Sequence, residues 1–233
     1  MYLDYKYIFK EILIVVNNKH IKVYIAGDST VQTYDESCIP QAGWGQFVCN
    51  YFTTNVEFIN HSIGGRSSKS FVNEGRLNSI LKTIGKDNYL LIQMGHNDAT
   101  KDKPERYTEP DVEYKKFLKM YVDGARKNGA IPILITPVAT LNFDGKHFIN
   151  DFPEYCISMK QFALQENIKC IDLMEKSLEY FTLAGYDESY EMFMASVNAV
   201  DYTHFTKKGA KRIASIVSEE IVKADAVFSN YKK

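Results

Sequence analysis

Two short polar segments of the chain hold the residue types that ester hydrolysis by a serine requires. The segment 27–30 reads Gly-Asp-Ser-Thr, and the segment 201–204 reads Asp-Tyr-Thr-His. A serine hydroxyl is a weak nucleophile unless a neighbouring base takes its proton, and histidine is the usual base. Asp201, three residues before His204, could hold the imidazole in the tautomer that accepts this proton. We therefore expect Ser29, Asp201 and His204 to be the catalytic residues.

Two further segments could stabilise the negative oxygen that develops when a serine attacks an ester. Gly65, the second residue of a Gly-Gly pair, offers a backbone N–H with no side chain to block approach. Asn97, within Gly-His-Asn-Asp at 95–98, offers a carboxamide N–H. Donors aimed at the developing charge form an oxyanion hole, and removing one typically costs on the order of 10²–10³ in rate.

Each segment taken alone also has a structural explanation. A capped turn after a strand, a glycine turn and the cap of a helix use the same residue types. His96 is expected to be structural rather than a base, and Asp28 to hydrogen-bond to nearby backbone. Because the four segments occur in order at expected strand ends or near the chain end, a joint catalytic role is favoured.

The elements that would position these segments alternate along the chain. Strands are predicted at 22–26, 56–59, 89–94, 131–136 and 168–173, and helices at 43–52, 76–84, 111–127, 154–165 and 206–227. Strands that alternate with helices pair in parallel, with helices on both faces of the sheet. In the common strand order 2-1-3-4-5, ligands bind beyond the carboxyl ends of the first and third strands. The polar segments would then converge on one edge of one sheet.

Composition narrows the class of partner. The chain has 233 residues with 28 Lys and Arg against 29 Asp and Glu, so nucleic acid or an anionic membrane is not expected as a partner. The apolar run 12–16 is shorter than the roughly 20 residues of a membrane helix or the roughly 7–15 of a signal-peptide core. A cytoplasmic location is therefore expected. The oligomeric state is left open.

The four cysteines show no metal-ligand spacing, so reduced thiols are expected, with Cys49 and Cys170 buried. Neither a metal ion nor a cofactor is expected. Because no repeat or linker divides the chain, we predict one domain over 21–233, preceded by an N-terminal extension of unknown role over 1–20.

The four segments resemble the four conserved blocks of the SGNH (GDSL-type) hydrolases. Longer strings narrow the resemblance to the rhamnogalacturonan acetylesterase branch: Ala-Gly-Asp-Ser-Thr-Val at 26–31, Pro-Gln-Ala-Gly-Trp-Gly-Gln at 40–46, Gly-Gly-Arg-Ser-Ser-Lys-Ser-Phe at 64–71, Glu-Gly-Arg at 74–76 and Gln-Met-Gly-His-Asn-Asp at 93–98. The likeness runs from about residue 21 to 225, which is nearly the whole chain.

This resemblance implies an α/β fold, a flavodoxin-like three-layer α/β/α sandwich with a five-stranded parallel sheet. It also implies a metal-independent serine esterase that removes O-acetyl groups from rhamnogalacturonan, a pectin-derived saccharide, through an acyl-enzyme. The nucleophile would be Ser29, the acid–base pair Asp201 and His204, and the oxyanion donors the N–H groups of Ser29 and Gly65 with the Asn97 side chain.

The substrate is less well defined than the chemistry. Thr140-Leu141 stands where the family often has a basic pair, and the His-Gly that often follows is absent unless His147 substitutes. The candidate substrate-binding residues are Trp44, Arg66 and Arg76. Trp44 could stack on a sugar, with a role in the core as the alternative. The two arginines could bind a galacturonate carboxylate, with solvated or structural roles as the alternative. Another acetylated carbohydrate such as xylan, a small acyl ester, and a flavodoxin-like module that binds flavin or a nucleotide remain alternative functions.

Overall fold

The computed structural model describes residues 19–233 and contains a five-stranded parallel sheet. Its strands are β1 (Ile21–Gly27), β3 (Val56–Asn60), β4 (Tyr89–Gln93), β5 (Ile131–Ile135) and β6 (Lys169–Ile171). They lie in the order β3-β1-β4-β5-β6, which is the predicted order 2-1-3-4-5. Two short strands, β2 (Gln41–Ala42) and β7 (Phe205–Thr206), form a separate antiparallel pair.

The central strands are apolar because both faces of the sheet are covered. All five residues of β4 are buried, as are six of the seven residues of β1. Successive side chains of a strand point to opposite faces. Thus Val23 and Ile25 belong to one hydrophobic cluster, whereas Tyr24 and Ala26 belong to the other. Parallel strands covered in this way have nearly continuous apolar sequences.

Helices form the two outer layers of the sandwich. One face of the sheet is covered by α1 (Ser68–Asn73), α2 (Arg76–Leu81), α3 (Lys115–Lys127) and α4 (Pro153–Gln165). The other face is covered chiefly by α5 (Leu173–Ala184) and α8 (Lys207–Ala224), with the short helices α6 (Tyr186–Tyr190) and α7 (Ala195–Asn198) nearby in the chain. The predicted α/β/α architecture is therefore confirmed.

Several predicted helices differ in extent from the observed ones. The helix predicted at 43–52 is two 3₁₀ turns, Trp44–Gln46 and Val48–Tyr51. This segment packs so closely on the loop after β1 that a Cβ on Gly45 would lie 2.4 Å from the carbonyl oxygen of Val31. The helix predicted at 111–127 begins with a wider turn, Pro110–Tyr114, in which the Tyr114 N–H bonds to the carbonyl of Glu109 five residues earlier.

The strand predicted at 168–173 is shorter, and the helix after it was missed. Asp172 ends β6 because its side chain accepts a hydrogen bond from the N–H of Glu175 and so caps α5. Two predicted helices end earlier than expected: α2 ends at Leu81, and α8 ends at Ala224. Thr206 caps the start of α8, as predicted. Helix ends are set by such local caps rather than by apolar periodicity.

The prediction for the cysteines was wrong in part. Cys49 is exposed because its 3₁₀ turn leaves it on the surface, and Cys170 is only partly buried on the short edge strand β6. The buried cysteine is Cys156, on α4.

Other expectations concern parts of the chain that the structure describes incompletely. The predicted extension 1–20 lies outside the described residues except for Lys19 and His20, so the division into an extension and one domain stays a prediction. Between residues 19 and 233, no helix combines the length and apolar character needed to cross a membrane. The predicted location stays a prediction as well.

Candidate active site

The strand order brings the four polar segments to one edge of the sheet. Because β1 lies between β3 and β4, the loops that carry Ser29, Gly65 and Asn97 are neighbours. The segment that carries His204 comes from far along the chain. It reaches the same edge because β7 begins at Phe205, directly after His204, and pairs with β2, the strand that follows the Ser29 loop in the chain. The backbone N–H of Met194 also bonds to the carbonyl of His204 at 2.8 Å.

Ser29, His204 and Asp201 form a continuous hydrogen-bonded chain. His204 Nε2 lies 2.9 Å from Ser29 Oγ, and His204 Nδ1 lies 2.8 Å from Asp201 Oδ2. With Nδ1–H donated to the carboxylate, Nε2 is left as an acceptor for the serine proton. This is the relation that a nucleophile, its base and an orienting acid require.

Asp201 is suited to remain ionised in this arrangement. Its Oδ1 accepts the backbone N–H groups of Thr203 at 3.1 Å and His204 at 3.0 Å. Partial burial disfavours the charge, but the backbone N–H and the imidazole of His204 outweigh it and lower the pKa of Asp201. The same bonds hold the aspartate and the histidine in a fixed relative orientation.

The Ser29 loop is held by polar contacts on both sides of the serine. The Tyr34 hydroxyl donates to the Ser29 carbonyl oxygen at 2.9 Å. The Thr30 N–H and hydroxyl both donate to Asp28 Oδ1, at 2.9 and 2.8 Å. The Thr30 hydroxyl in turn accepts from Gln93 Nε2, at the end of β4, at 2.7 Å.

Trp44 belongs to this support, and its predicted role in sugar stacking is wrong. The side chain is 0% exposed, so its ring cannot meet a sugar. Its indole N–H donates to Gln93 Oε1 at 2.7 Å, which fixes the amide that bonds to Thr30. A buried tryptophan needs such an acceptor for its N–H.

His96 and Asp28 form a buried pair behind the serine loop. His96 Nδ1 lies 2.9 Å from Asp28 Oδ2, and Nε2 lies 2.9 Å from the carbonyl oxygen of Val138. Both ring nitrogens face acceptors, an arrangement that favours the doubly protonated imidazolium. Burial disfavours that charge, yet Asp28 raises the pKa of His96 overall, and His96 lowers the pKa of Asp28 despite its burial. Among the described residues, no hydrogen bond joins either group to Ser29 Oγ, and the pair is linked to the serine loop through the bonds of Asp28 to Thr30.

Two of the three expected oxyanion donors, the Gly65 N–H and the Asn97 side chain, lie on adjacent loops. Gly65 has a φ of +76°, a conformation that glycine adopts without strain. The Asn97 carboxamide donates one N–H to the carbonyl of Arg66 at 3.2 Å, which orients the group and leaves its second N–H for another acceptor. The N–H of Gly64 bonds to the Gln32 side chain, which ties the glycine turn to the serine loop.

Asp98, the last residue of Gly-His-Asn-Asp, joins the loop after β4 to α1. The fully buried carboxylate accepts hydrogen bonds from the N–H and hydroxyl of Ser68 and from the hydroxyl of Thr108. Burial raises its pKa to about 6, although these donors act in the opposite direction. The Tyr155 hydroxyl bonds to the carbonyls of Asp98 and Thr108, at 2.8 and 2.7 Å. Asp98 therefore holds the loops that flank the candidate oxyanion donors.

An open cleft of about 430 Å³ leads to the serine. Its lining comprises Ser29, His96, Asn97, Phe152 and the segment 200–204. Val200 and Tyr202, at the rim, are 76% and 43% exposed. Sequence reasoning missed both, although apolar residues flanking Asp201 were a signal that this loop presents them to a ligand.

The two arginines predicted to bind substrate are both engaged with Glu74. The Nε atoms of Arg66 and Arg76 lie 3.1 and 2.6 Å from Glu74 Oε2, and Arg66 also donates to the carbonyl of Gly64 at 2.8 Å. These contacts lower the pKa of Glu74, with the Arg76 hydrogen bond as the largest cause. A role for either arginine in substrate binding stays a prediction.

The segment that departs from the family pattern forms part of the support for the cleft. The Thr140 hydroxyl bonds to Asp151, and the Leu141 side chain is buried. The Leu141 N–H donates to the carbonyl of Tyr202 at 2.8 Å, so this segment holds the loop that carries the rim tyrosine. His147 is exposed and its backbone N–H bonds to Asp144.

Comparison with known proteins identifies the family. A family model described as GDSL-like lipase/acylhydrolase matches residues 23–217. The chain belongs to this family. The resemblance to the SGNH hydrolases inferred from the four segments is thus confirmed. Within residues 19–233, no group of three or more His, Cys, Asp or Glu side chains is placed to hold a metal ion.

Individual members of the family are similar over most of the chain. A probable rhamnogalacturonan acetylesterase, YesY of Bacillus subtilis, is 56% identical over 199 residues, covering 85% of this chain and 91% of YesY. The rhamnogalacturonan acetylesterase RhgT of the same organism is 38% identical over 216 residues, covering 87% of this chain and 90% of RhgT. The crystal structure of the YxiM protein of B. subtilis superposes with a TM-score of 0.78 at 28% identity, covering 89% of this chain and 57% of that one.

Proposed function

We propose that this chain is a serine esterase that removes O-acetyl groups from rhamnogalacturonan saccharides. The observation that carries the proposal is the chain from Ser29 Oγ through His204 to Asp201, with successive distances of 2.9 and 2.8 Å. The names of YesY and RhgT support the choice of substrate, since these relatives share 56% and 38% of their aligned residues with this chain.

The proposed reaction has two halves that use the same groups. His204 takes the proton of Ser29 as Ser29 Oγ attacks the acetyl carbonyl carbon, and Asp201 stabilises the imidazolium that forms. The carbonyl oxygen becomes an oxyanion that accepts hydrogen bonds from the N–H groups of Ser29 and Gly65 and from Asn97. The imidazolium then gives its proton to the sugar oxygen as the bond between that oxygen and the acetyl carbon breaks. The deacetylated sugar leaves, and the acetyl group stays on Ser29 Oγ as an acetyl-enzyme.

Water completes the cycle. His204 takes a proton from a water molecule, whose oxygen attacks the acetyl-enzyme carbonyl. Collapse of the second tetrahedral intermediate breaks the bond to Ser29 Oγ, which regains the proton from His204, and acetate leaves. Each half of the reaction begins with the histidine Nε2 free of a proton, and Nδ1 bonded to Asp201 provides that tautomer.

The test is acetate release by wild type and by Ser29→Ala. The substrates are acetylated rhamnogalacturonan as polymer and as oligosaccharides, acetylated xylan, and p-nitrophenyl acetate. We expect wild type to prefer rhamnogalacturonan and Ser29→Ala to lower kcat by about 10⁴–10⁶, as loss of a triad nucleophile does. Ser79→Ala, which alters an exposed serine on α2, is the matched control and should retain full activity.

The outcomes separate the alternatives. Release from xylan or the aryl ester alone, dependent on Ser29, would keep the mechanism and remove the rhamnogalacturonan assignment. Release that persists in Ser29→Ala would contradict the proposed nucleophile. A purified protein that carries flavin or nucleotide and releases no acetate from any ester would favour the binding-module alternative.

A further inference from the structure

A third arginine, absent from the residues that the sequence indicated, lies directly against a proposed oxyanion donor. A Cβ built on Gly65 would be 3.3 Å from Arg106 Nη2 and 3.5 Å from both Nη1 and Cζ. The guanidinium therefore occupies the space that a side chain at residue 65 would need, beside the glycine whose N–H is proposed to meet the ester oxygen. Arg106 is half-buried, with 31% of its side chain exposed.

The guanidinium has much of its hydrogen-bonding capacity left. Among residues 19–233, its one ion pair is Nε with the exposed carboxylate of Glu105, at 3.7 Å, and no hydrogen bond to it is found. Exposed pairs of this kind contribute little. Arg66 and Arg76 differ, because the Nε of each already pairs closely with the Glu74 carboxylate, at 3.1 and 2.6 Å. Arg106 is thus a cation beside a proposed oxyanion donor that has no close carboxylate partner among the described residues and has N–H groups for a ligand.

The backbone that carries Arg106 is firmly held, as a binding residue requires. The ammonium group of Lys69, on α1, donates to the carbonyls of Pro104 and Tyr107, at 3.1 and 3.3 Å. The N–H of Arg106 donates to the carbonyl of Lys103 at 2.9 Å. Downstream, the Thr108 hydroxyl bonds to the buried carboxylate of Asp98. Hydrogen bonds therefore hold the backbone on both sides of Arg106 in place.

We propose that Arg106 is a specificity residue that binds the carboxylate of a uronic-acid unit next to the acetyl group being removed. This inference rests on the proposed function, because rhamnogalacturonan contains galacturonate. A guanidinium offers paired N–H groups that match the two oxygens of a carboxylate. Its position beside Gly65 puts that pairing next to the loop whose N–H is proposed to meet the ester oxygen, within reach of a carboxylate on the same or the adjacent sugar ring.

The decisive experiment compares two substrates that differ only in the carboxyl group. One is an acetylated rhamnogalacturonan oligosaccharide, and the other is the same oligosaccharide with its carboxyl groups reduced to alcohols. We expect Arg106→Gln to lower kcat/KM for the carboxylated substrate by about 10- to 100-fold more than for the reduced one, mainly through KM. Arg106→Lys, which keeps the charge but not the paired donors, should give an intermediate loss.

A matched control removes one positive charge elsewhere. Lys127 is exposed at the end of α3, at the opposite edge of the sheet, and Lys127→Gln should leave the ratio of the two substrates unchanged. If Arg106→Gln lowers activity equally on the carboxylated substrate, the reduced substrate and p-nitrophenyl acetate, the arginine supports the oxyanion loop and the proposal is overturned.

A binding assay keeps the inference separate from the proposed function. Should wild type hydrolyse p-nitrophenyl acetate but no rhamnogalacturonan, the proposed substrate fails. Oligogalacturonate is then tested as an inhibitor of the aryl ester reaction, with a neutral galactose oligomer for comparison. Competition by oligogalacturonate that weakens about 10-fold or more in Arg106→Gln supports a carboxylate site at Arg106. Absence of competition in wild type overturns it.

Discussion

At the scale of single residues, much of what supports the candidate serine is buried polar structure. A connected series of side chains runs from Trp44 through Gln93 and Thr30 to Asp28 and His96, with neighbouring polar atoms 2.7 to 2.9 Å apart. Buried polar groups are costly unless each has a partner, so such a network is stable only when complete. It holds the residues on either side of Ser29 in place.

The buried ion pair at the end of this series makes stability depend on pH in a defined direction. His96 has a raised pKa, so its contribution is fully present below the unfolded value of 6.5 and is lost as pH rises through the folded value. Asp28 has a lowered pKa, so its contribution is present above 3.8 and is lost as pH falls through the folded value. The pair contributes most between those two unfolded values.

We therefore expect His96→Gln to lower the free energy of unfolding by about 3–5 kcal/mol at pH 5, because it leaves the Asp28 carboxylate buried without its cation. The difference from wild type should shrink toward the alkaline end of a urea-unfolding series from pH 5 to 10. The exposed His147 provides the control, since His147→Gln should have little effect at any pH. An equal loss for His96→Gln at all pH values would indicate a neutral imidazole instead.

At the scale of elements, the strands supply a frame and the loops at their carboxyl ends carry the chemistry. The turn after β3 shows how backbone conformation enters, because Gly65 has a φ of +76° and a Cβ at this position would lie 3.3 Å from Arg106. Gly75, which caps α2, has nearly the same φ of +74°, but nothing lies within 4 Å of the position of its absent Cβ. The two glycines thus share nearly the same φ and differ in their surroundings.

Substituting alanine at each glycine separates backbone strain from contact. We expect Gly65→Ala and Gly75→Ala each to lower the free energy of unfolding by about 1–2 kcal/mol, since a Cβ is disfavoured at this φ. Gly65→Ala should also lower kcat/KM for p-nitrophenyl acetate by about tenfold or more, because its methyl group presses on Arg106 and shifts an expected oxyanion donor. Urea unfolding and steady-state kinetics measure both effects. Equal kinetics in the two variants would argue against Gly65 as that donor.

At the scale of the whole molecule, packing divides the four cysteines into two classes. Cys38 and Cys49 are exposed, whereas burial raises the pKa of the Cys156 and Cys170 thiols to about 12. Because the thiolate is the reactive form, a disulfide reagent should modify two thiols quickly at pH 8 and the other two only on unfolding. In the double variant Cys38→Ser, Cys49→Ser the fast phase should vanish. Four fast thiols would contradict the packing around α4 and β6.

The sequence by itself determined the fold class and the positions of the strands along the chain, because side-chain alternation and apolar runs are local properties that burial imposes directly. It also indicated Ser29, Gly65, Asn97, Asp201 and His204 as a set, since each follows a strand or precedes the last helix. Element ends were less accurate: the cap at Asp172 and the close packing at Gly45 depend on neighbours that periodicity does not show.

Only the tertiary structure decided which polar and aromatic residues meet the cleft. Trp44 was predicted to stack on a sugar and is buried, whereas Tyr202, beside Asp201, lies at the cleft rim. Arg106, which gave no local signal, lies beside Gly65. The distance of 2.9 Å between Ser29 and His204 likewise joins residues 175 positions apart. Such contacts arise from the pairing of β2 with β7 and the packing of helices on the sheet, which are long-range interactions that no short stretch of sequence encodes.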